Sequence, residues 1–195
     1  MGEKSEQKRE HILQCAKDVF ARKGFRSVTM KDIVEACEIS RGGLYLYFGS
    51  TEEIFREIFL AELEKEGEDI TGQLTVECTM TELLTLFLKE QKKMILRKKQ
   101  DITIATYEYF FLQRPEKKSE NLLRNQFQTG VVVLDKILKE GNHRGEFYCE
   151  DTMAAANHIM YVLEGMKVCA RTMGISESRV DQELLYLLEG LILEE

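Results

Sequence analysis

Apolar residues recur at three- and four-residue intervals along nearly the whole chain, and a single proline, Pro115, interrupts its 195 residues. That interval is the repeat of an α-helix, because positions three and four apart share one face. A chain patterned this way must bury its apolar stripes by packing helix on helix, so the expected fold class is all-α. Hydrophobic residues make up 44% and charged residues 31%, which is apolar enough to form a core and too apolar for disorder. No apolar run approaches the roughly 20 residues of a membrane span. The polar start MGEKSEQKREHI is expected to carry no secretory signal.

Within residues 1–50 the helices are short and closely punctuated. A first helix from Ser5 to about Lys23 has the stripe Ile12, Cys15, Ala16, Val19 and Phe20, and Gly24 stands where a C-terminal cap belongs. Thr29-Met30-Lys31-Asp32 places a capping hydroxyl three residues before an acid and opens a short helix to about Ala36. Ser40 caps a third helix expected to reach Tyr47, and Ser50 caps a fourth running through Glu64 or beyond. Two short helices joined by a tight turn and buttressed by a longer one make a helix-turn-helix.

The third helix contains Arg41-Gly42-Gly43-Leu44-Tyr45-Leu46-Tyr47-Phe48. Each glycine in a helix costs roughly 1 kcal/mol relative to alanine, so the pair needs a compensating use. Close backbone approach to DNA supplies one. Arg41 can reach a phosphate or a guanine edge, and the Tyr45 and Tyr47 hydroxyls can donate to phosphate oxygens. Leu44 lies four residues before Phe48, a spacing that lets both pack inward. The competing reading is a loop between two helices whose aromatics fill the core.

The stretch VTMKDIVEACEISRGGLYLYFGSTEEIF resembles the DNA-binding segment of the TetR family of bacterial transcriptional regulators. The likeness covers about residues 8–58: a Thr, an apolar-patterned short helix, a turn ending in Ser, two small residues, Leu-Tyr, an aromatic pair and an acidic helix start. It implies phosphate contacts by Thr29, Ser40, Tyr45 and Tyr47, with Arg41, Gly42 and Gly43 facing the groove. Lys31, Leu44 and Thr51 complete the expected DNA-facing set. Two positions depart from the family's pattern. Glu38 stands where the turn usually has glycine, costing on the order of 1 kcal/mol if the backbone there is left-handed. Thr51 stands where a phosphate-contacting lysine is common.

The resemblance implies a helix-turn-helix domain over 1–50 and a helical effector-binding and dimerisation domain over 51–195. The net charge of −7 is distributed to match: residues 1–50 hold nine Lys/Arg against seven Asp/Glu, and the rest hold 18 against 27. A DNA-facing module on an acidic body fits that asymmetry.

In the second half, expected helices run from Met80 to Leu96, from Ile102 to Phe111, from about Lys117 to Gly141, from Asp151 or Thr152 to Met173, and onward from Ser176. Pro115 marks a loop and Gly141-Asn-His-Arg-Gly145 a turn. The last helix is apolar over more than half its circumference, with Leu184, Leu185, Leu187, Leu188, Leu191 and Ile192. One face can serve its own core and another a two-fold dimer, for which Leu184, Leu188 and Leu191 are the candidates; burial of both faces within one subunit is the alternative. Dimerisation has a warrant of its own, since one short reading helix spans too few base pairs. A small apolar or amphipathic effector is expected among the C-terminal helices, with Phe87, Tyr107, Phe111, Phe127, His158 and Tyr161 as candidate lining. The basic run Lys92 to Lys99 reads as a solvated helix end, with an anion-recruiting surface as the sharper alternative.

The five cysteines, Cys15, Cys37, Cys78, Cys149 and Cys169, are scattered and never spaced as Cys-x-x-Cys. They read as small hydrophobes in a reducing cytoplasm, with a thiol sensor as the alternative. His11, His143 and His158 are isolated, and no metalloprotease, phosphate-loop or nucleophile-elbow motif is present, so catalysis, cofactors and metals are not expected. The expected function is a repressor, homodimeric and cytoplasmic, held on a palindromic double-stranded DNA operator and released by a small molecule. A helical partner-binding or membrane-surface module is the alternative.

Overall fold

The computed structural model describes residues 3–71, 78–97, 101–113, 121–189 and 191. Every regular element among them is helical: α1 Glu3–Lys23, α2 Met30–Ala36, α3 Arg41–Tyr45, α4 Thr51–Thr71, α5 Met80–Ile95, α6 Thr103–Leu112, α7 Leu122–Arg144, α8 Thr152–Thr172 and α9 Glu177–Glu189. None of these helices is long and apolar enough to cross a membrane. Pro115, Lys98, Lys99, Ile192 and the expected helix start at Lys117 lie outside the described residues.

The chain divides into two compact units, Met1–Glu66 with Lys99–Glu116, and Gly67–Lys98 with Lys117–Glu195. These are drawn differently from the 1–50 and 51–195 segments. The first unit takes in most of α4 and also α6, which is distant in sequence. The reason is aromatic packing: Phe20, Phe25 and Phe55 gather around Tyr109 of α6, whose ring lies 5.0 Å from Phe25 and 5.2 Å from Phe55. Phe110 adds an edge contact to Phe59 at 5.4 Å. Such ring pairs add roughly 0.5–1.5 kcal/mol each beyond their buried area. Glu108 adds a polar tie, accepting a hydrogen bond from the Arg26 amide at 3.0 Å.

The second unit is built from α5, α7, α8 and α9 around Leu84, Phe87, Leu88, Leu134, Leu138, Ile159 and Leu163. Among the described residues, the polar side chains buried in it are Gln91, Asp135 and Thr152. The Asp135 carboxylate accepts from Thr152 Oγ1 and from Lys139 Nζ, both at 2.7 Å, and these two partners hold its carboxyl below the usual range. Arg171 donates to the carbonyls of Ile95 and Met94 at 3.1 and 3.2 Å, satisfying the open C-terminal end of α5. Lys92 binds Glu177 at 2.9 Å and Asp181 at 2.6 Å, and Lys93 binds Glu90 at 2.6 Å, so this part of the basic run is neutralised within the unit.

Two boundaries differ from expectation. The helix expected to stop at Gly141 continues to Arg144, and Gly145, with φ of 67°, is the left-handed cap. Gly141 is an interior helix residue because the Phe147 ring lies against it, where a Cβ would collide. A glycine needed for close approach resembles a glycine needed for a turn when only the sequence is read. The third helix closes at Tyr45 rather than Tyr47, with Leu46 as its helical-region cap.

The turn between α2 and α3 is a Schellman motif. The Ile39 amide donates to the Val34 carbonyl and the Glu38 amide to the Glu35 carbonyl, both at 3.3 Å. This geometry puts Glu38 in the left-handed region, at φ of 55°. A side chain there strains the backbone by about 1–2 kcal/mol, part of which glycine would return as unfolded-state entropy. Glu38→Gly is expected to raise stability by about 0.5 kcal/mol, read as a higher midpoint in thermal unfolding followed by circular dichroism. An unchanged or lower midpoint contradicts the strain.

At its other end α2 opens on a complete capping box: Asp32 N–H donates to Thr29 Oγ1 at 3.3 Å, and Thr29 N–H donates back to Asp32 Oδ2 at 2.8 Å. Lys23 and Thr29 hold the Asp32 carboxyl at about 2, below its ordinary 3.8. A lowered folded-state value stabilises above the unfolded value, and that contribution fades as pH falls from 3.8 toward 2. Asp32→Asn is therefore expected to destabilise by about 0.5 kcal/mol at neutral pH, the low end for an exposed cap. The gap from the parent should narrow below about pH 4 in unfolding titrations; a constant gap removes the charge from the explanation.

Candidate nucleic-acid interface

Five residues cannot hold a helix by themselves, since nucleation costs more than one turn returns. α3 exists because its inner face is anchored. Leu44 is fully buried and Phe48 is 1% exposed, within the same core as Ile12, Ile33 and Phe55. Arg9 of α1 lies over the Phe48 ring, 5.2 Å from its centre. Ser40 caps the helix start, its Oγ accepting from the Gly43 amide at 3.0 Å. That bond uses a lone pair and leaves the hydroxyl proton for an outside acceptor.

With Leu44 turned inward, Arg41, Gly42, Tyr45 and Leu46 face outward, and all four are exposed. Arg41 lies over the Tyr45 ring at 5.6 Å, forming a polar row one helical turn long. Gly42 and Leu46 form the adjacent row, linked by a hydrogen bond from the Leu46 amide to the Gly42 carbonyl at 3.2 Å. A Cβ on Gly42 would meet no atom within 4 Å, whereas one on Gly43 would come within 3.1 Å of Ser40 Oγ. Gly43 thus makes room for the cap, but among the described residues no neighbouring atom requires a glycine at position 42.

The expected DNA-facing residues are not all placed alike. Ser40, Arg41, Gly42 and Tyr45 gather on the outward side of α3, while Tyr47 and Gly43 are half-buried beside them. Leu44 is a correction: it is sealed in the core and cannot reach DNA. Thr29 is exposed, but its hydroxyl donates to Asp32 Oδ2 at 2.7 Å, so the capping box already uses that proton. Lys31 is open to solvent at the start of α2, with a long 3.7 Å pairing to Glu35. Thr51 is the first residue of α4, where Ser50 Oγ accepts from the Glu53 amide at 3.1 Å. Leu46, 83% exposed, was not among the expected residues. Its signal was its place four residues after Gly42, beside a leucine already committed to the core.

The candidate effector residues are divided between the units. Tyr107 and Phe111 belong to α6 of the first, with Phe111 79% exposed. Of the four in the second unit, Phe127 and Tyr161 pair with rings 4.9 Å apart, Phe87 is core, and His158 lies on an exposed face of α8. His158 is therefore a surface residue in this unit. Of the candidate dimer residues, Leu184 and Leu191 need correction, being buried in their own unit, while Leu188 is half-buried at the edge of the same core. Leu185 and Tyr186, 60% and 54% exposed, carry the outer apolar face of α9.

Cys37 and Cys149 are buried, and the other three cysteines are half-buried. Burial, with the neighbouring Cys15 thiol, pushes Cys37 up to about 12, so it is a protonated core residue. Among the described residues, no three His, Cys, Asp or Glu side chains converge as metal ligands.

Comparison with known proteins agrees with this geometry. Residues 12–58 match the family model of bacterial regulatory proteins, tetR family, and residues 83–181 match a tetracyclin repressor-like C-terminal domain. The HTH-type transcriptional regulator YfiR of Bacillus subtilis is 32% identical over 74% of this chain and 70% of its own length. QacR, an HTH-type transcriptional regulator of Staphylococcus aureus, is 25% identical over 87% of this chain and 89% of its own. In fold, the chain resembles a transcriptional regulator from Saccharomonospora viridis solved in complex with choline, with a TM-score of 0.84 and 17% identity over 97% of this chain and all of that one. A capped, core-anchored reading helix and family matches in both halves lead to one conclusion: this chain belongs to the TetR family and is a DNA-binding transcriptional regulator.

Proposed function

We propose that the protein is a cytoplasmic repressor that binds a palindromic operator as a homodimer and leaves it when a small apolar or amphipathic molecule binds its C-terminal helices. The observation that carries the DNA-binding part is Gly42. It occupies an outward helical position with open space around it, so its helix-propensity cost of about 1 kcal/mol has no internal compensation. A DNA backbone or base edge brought against α3 supplies the missing reason. Ser40 and Tyr45 donate to phosphates and fix the register, and Arg41 reads a base edge in the groove.

Dimerisation is supported by the outer faces of α8 and α9. Along α8, Ala154, His158, Tyr161, Gly165, Val168 and Thr172 are exposed at helical spacing, and α9 adds Leu185 and Tyr186. Two such helices from each subunit meet as a four-helix interface whose core is apolar. The chain passes from one compact unit to the other through α4 and at the two flanks of α6. An effector that favours one arrangement of the second unit acts on the reading helices through those connections. It must bind the two states unequally, because equal affinity shifts nothing.

Gly42→Ala separates the free protein from its complex. Alanine is expected to stabilise the unbound chain by up to about 1 kcal/mol and to weaken operator binding. Thermal unfolding and fluorescence anisotropy on one preparation read both. Unchanged DNA affinity removes Gly42 from the interface.

Leu185→Glu tests the dimer. The side chain is mostly outside its own core, so the variant should keep its helical circular dichroism while sedimenting as a monomer. The carboxylate would otherwise be desolvated without a partner in the interface. A variant that remains dimeric moves the interface off α9.

A further inference from the structure

We propose that Leu46 is a specificity-determining residue that packs its isopropyl group against the C5-methyl of a thymine in the operator's major groove. The inference rests on the DNA-binding function of α3 and adds a base contact to it. Leu46 is 83% exposed, while Leu44 and Phe48 beside it are fully or almost fully buried. An exposed leucine alone needs no explanation. This one is held in place: its backbone is helical at φ of −70° and ψ of −22°, and its amide is bonded to Gly42. It therefore stands one turn along from Gly42, on the row where the backbone is bare, next to the polar row of Arg41 and Tyr45.

The two rows suit different parts of a groove. Arg41 and Tyr45 offer donors, which match phosphates and the guanine edge. Leu46 offers neither donor nor acceptor, so pressing it against a polar base edge would leave that edge unsatisfied. The thymine methyl is the apolar group that the major groove displays. Gly42 lets the helix sit deep enough for a side chain one turn away to arrive there. A rise of about 1.5 Å per residue separates the two positions by about 6 Å, close to two base-pair steps.

The test uses the full-length dimer and an operator obtained by selection from random duplex DNA. Deoxyuridine replaces thymine one symmetric pair at a time, which removes only the methyl. Binding of the parent and of Leu46→Ala is measured by anisotropy, and thermal unfolding confirms that the exposed substitution leaves the fold intact. For the parent, one symmetric pair should weaken binding by roughly fourfold per half-site, the ratio expected for one buried methyl. Leu46→Ala should bind the thymine operator more weakly and lose nothing further at that pair. A parent indifferent to every thymine methyl overturns the assignment. So does a Leu46→Ala variant that keeps the same methyl sensitivity, or one that binds the thymine operator as the parent does. Failure of the parent to select any duplex would overturn the regulator reading itself, a different result from indifference to methyls.

Discussion

The burial of Leu44 and Phe48 is the constraint on which the reading helix depends. α3 is too short to persist unaided, and two of its five residues are glycines. Its inner edge is fixed by a leucine with no exposure and a phenylalanine packed under Arg9. Once those two are seated, the orientation of every other α3 residue follows from helical geometry. Arg41 and Tyr45 fall on one outward row, and Gly42 and Leu46 on the next. The polar surface of the site is therefore a consequence of its apolar anchor.

The same core draws α6 into the first unit. Tyr109 stands among Phe25, Phe55 and Phe110, and burial together with the Glu52 charge pushes its hydroxyl's pKa up. Its hydroxyl donates to Glu52 Oε1 at 3.4 Å, near the start of α4. Glu108 is held by the Arg26 amide just after α1. A helix from the middle of the chain is thus fastened to the first and fourth helices by rings and hydrogen bonds together. Displacing α6 would cost those contacts, so its position and the packing around α1 and α4 are energetically linked.

The turn before α3 shows how a local penalty is carried by the surrounding fold. Glu38 is left-handed because Val34 and Glu35 receive the amides of Ile39 and Glu38, closing α2. Ile33 and Cys37 are buried on one side of that turn, and Leu44 on the other. With both flanks committed to the core, the connecting residue takes the conformation that closes the turn, at a cost of about 1–2 kcal/mol for a non-glycine.

Features governed by adjacent residues were legible in the sequence. Apolar spacing determined the helices, hydroxyls set three residues before an acid determined the caps at Thr29 and Ser50, and the Ser40 hydroxyl ahead of a short helix determined a third. The outward Arg41 and Tyr45 followed from the same local logic. What required the tertiary structure was every choice between equivalent faces. Periodicity says that α9 has two apolar sides, but only packing shows Leu184 turned in and Leu185 turned out. It marks α6 as aromatic without showing that Tyr109 belongs with Phe25 and Phe55, distant in sequence. Nor does it separate Gly141, which lies under a ring, from Gly145, which ends a helix. Secondary structure is encoded over one or two turns, whereas the partner of each face is fixed by shape and volume contributed from elsewhere in the chain.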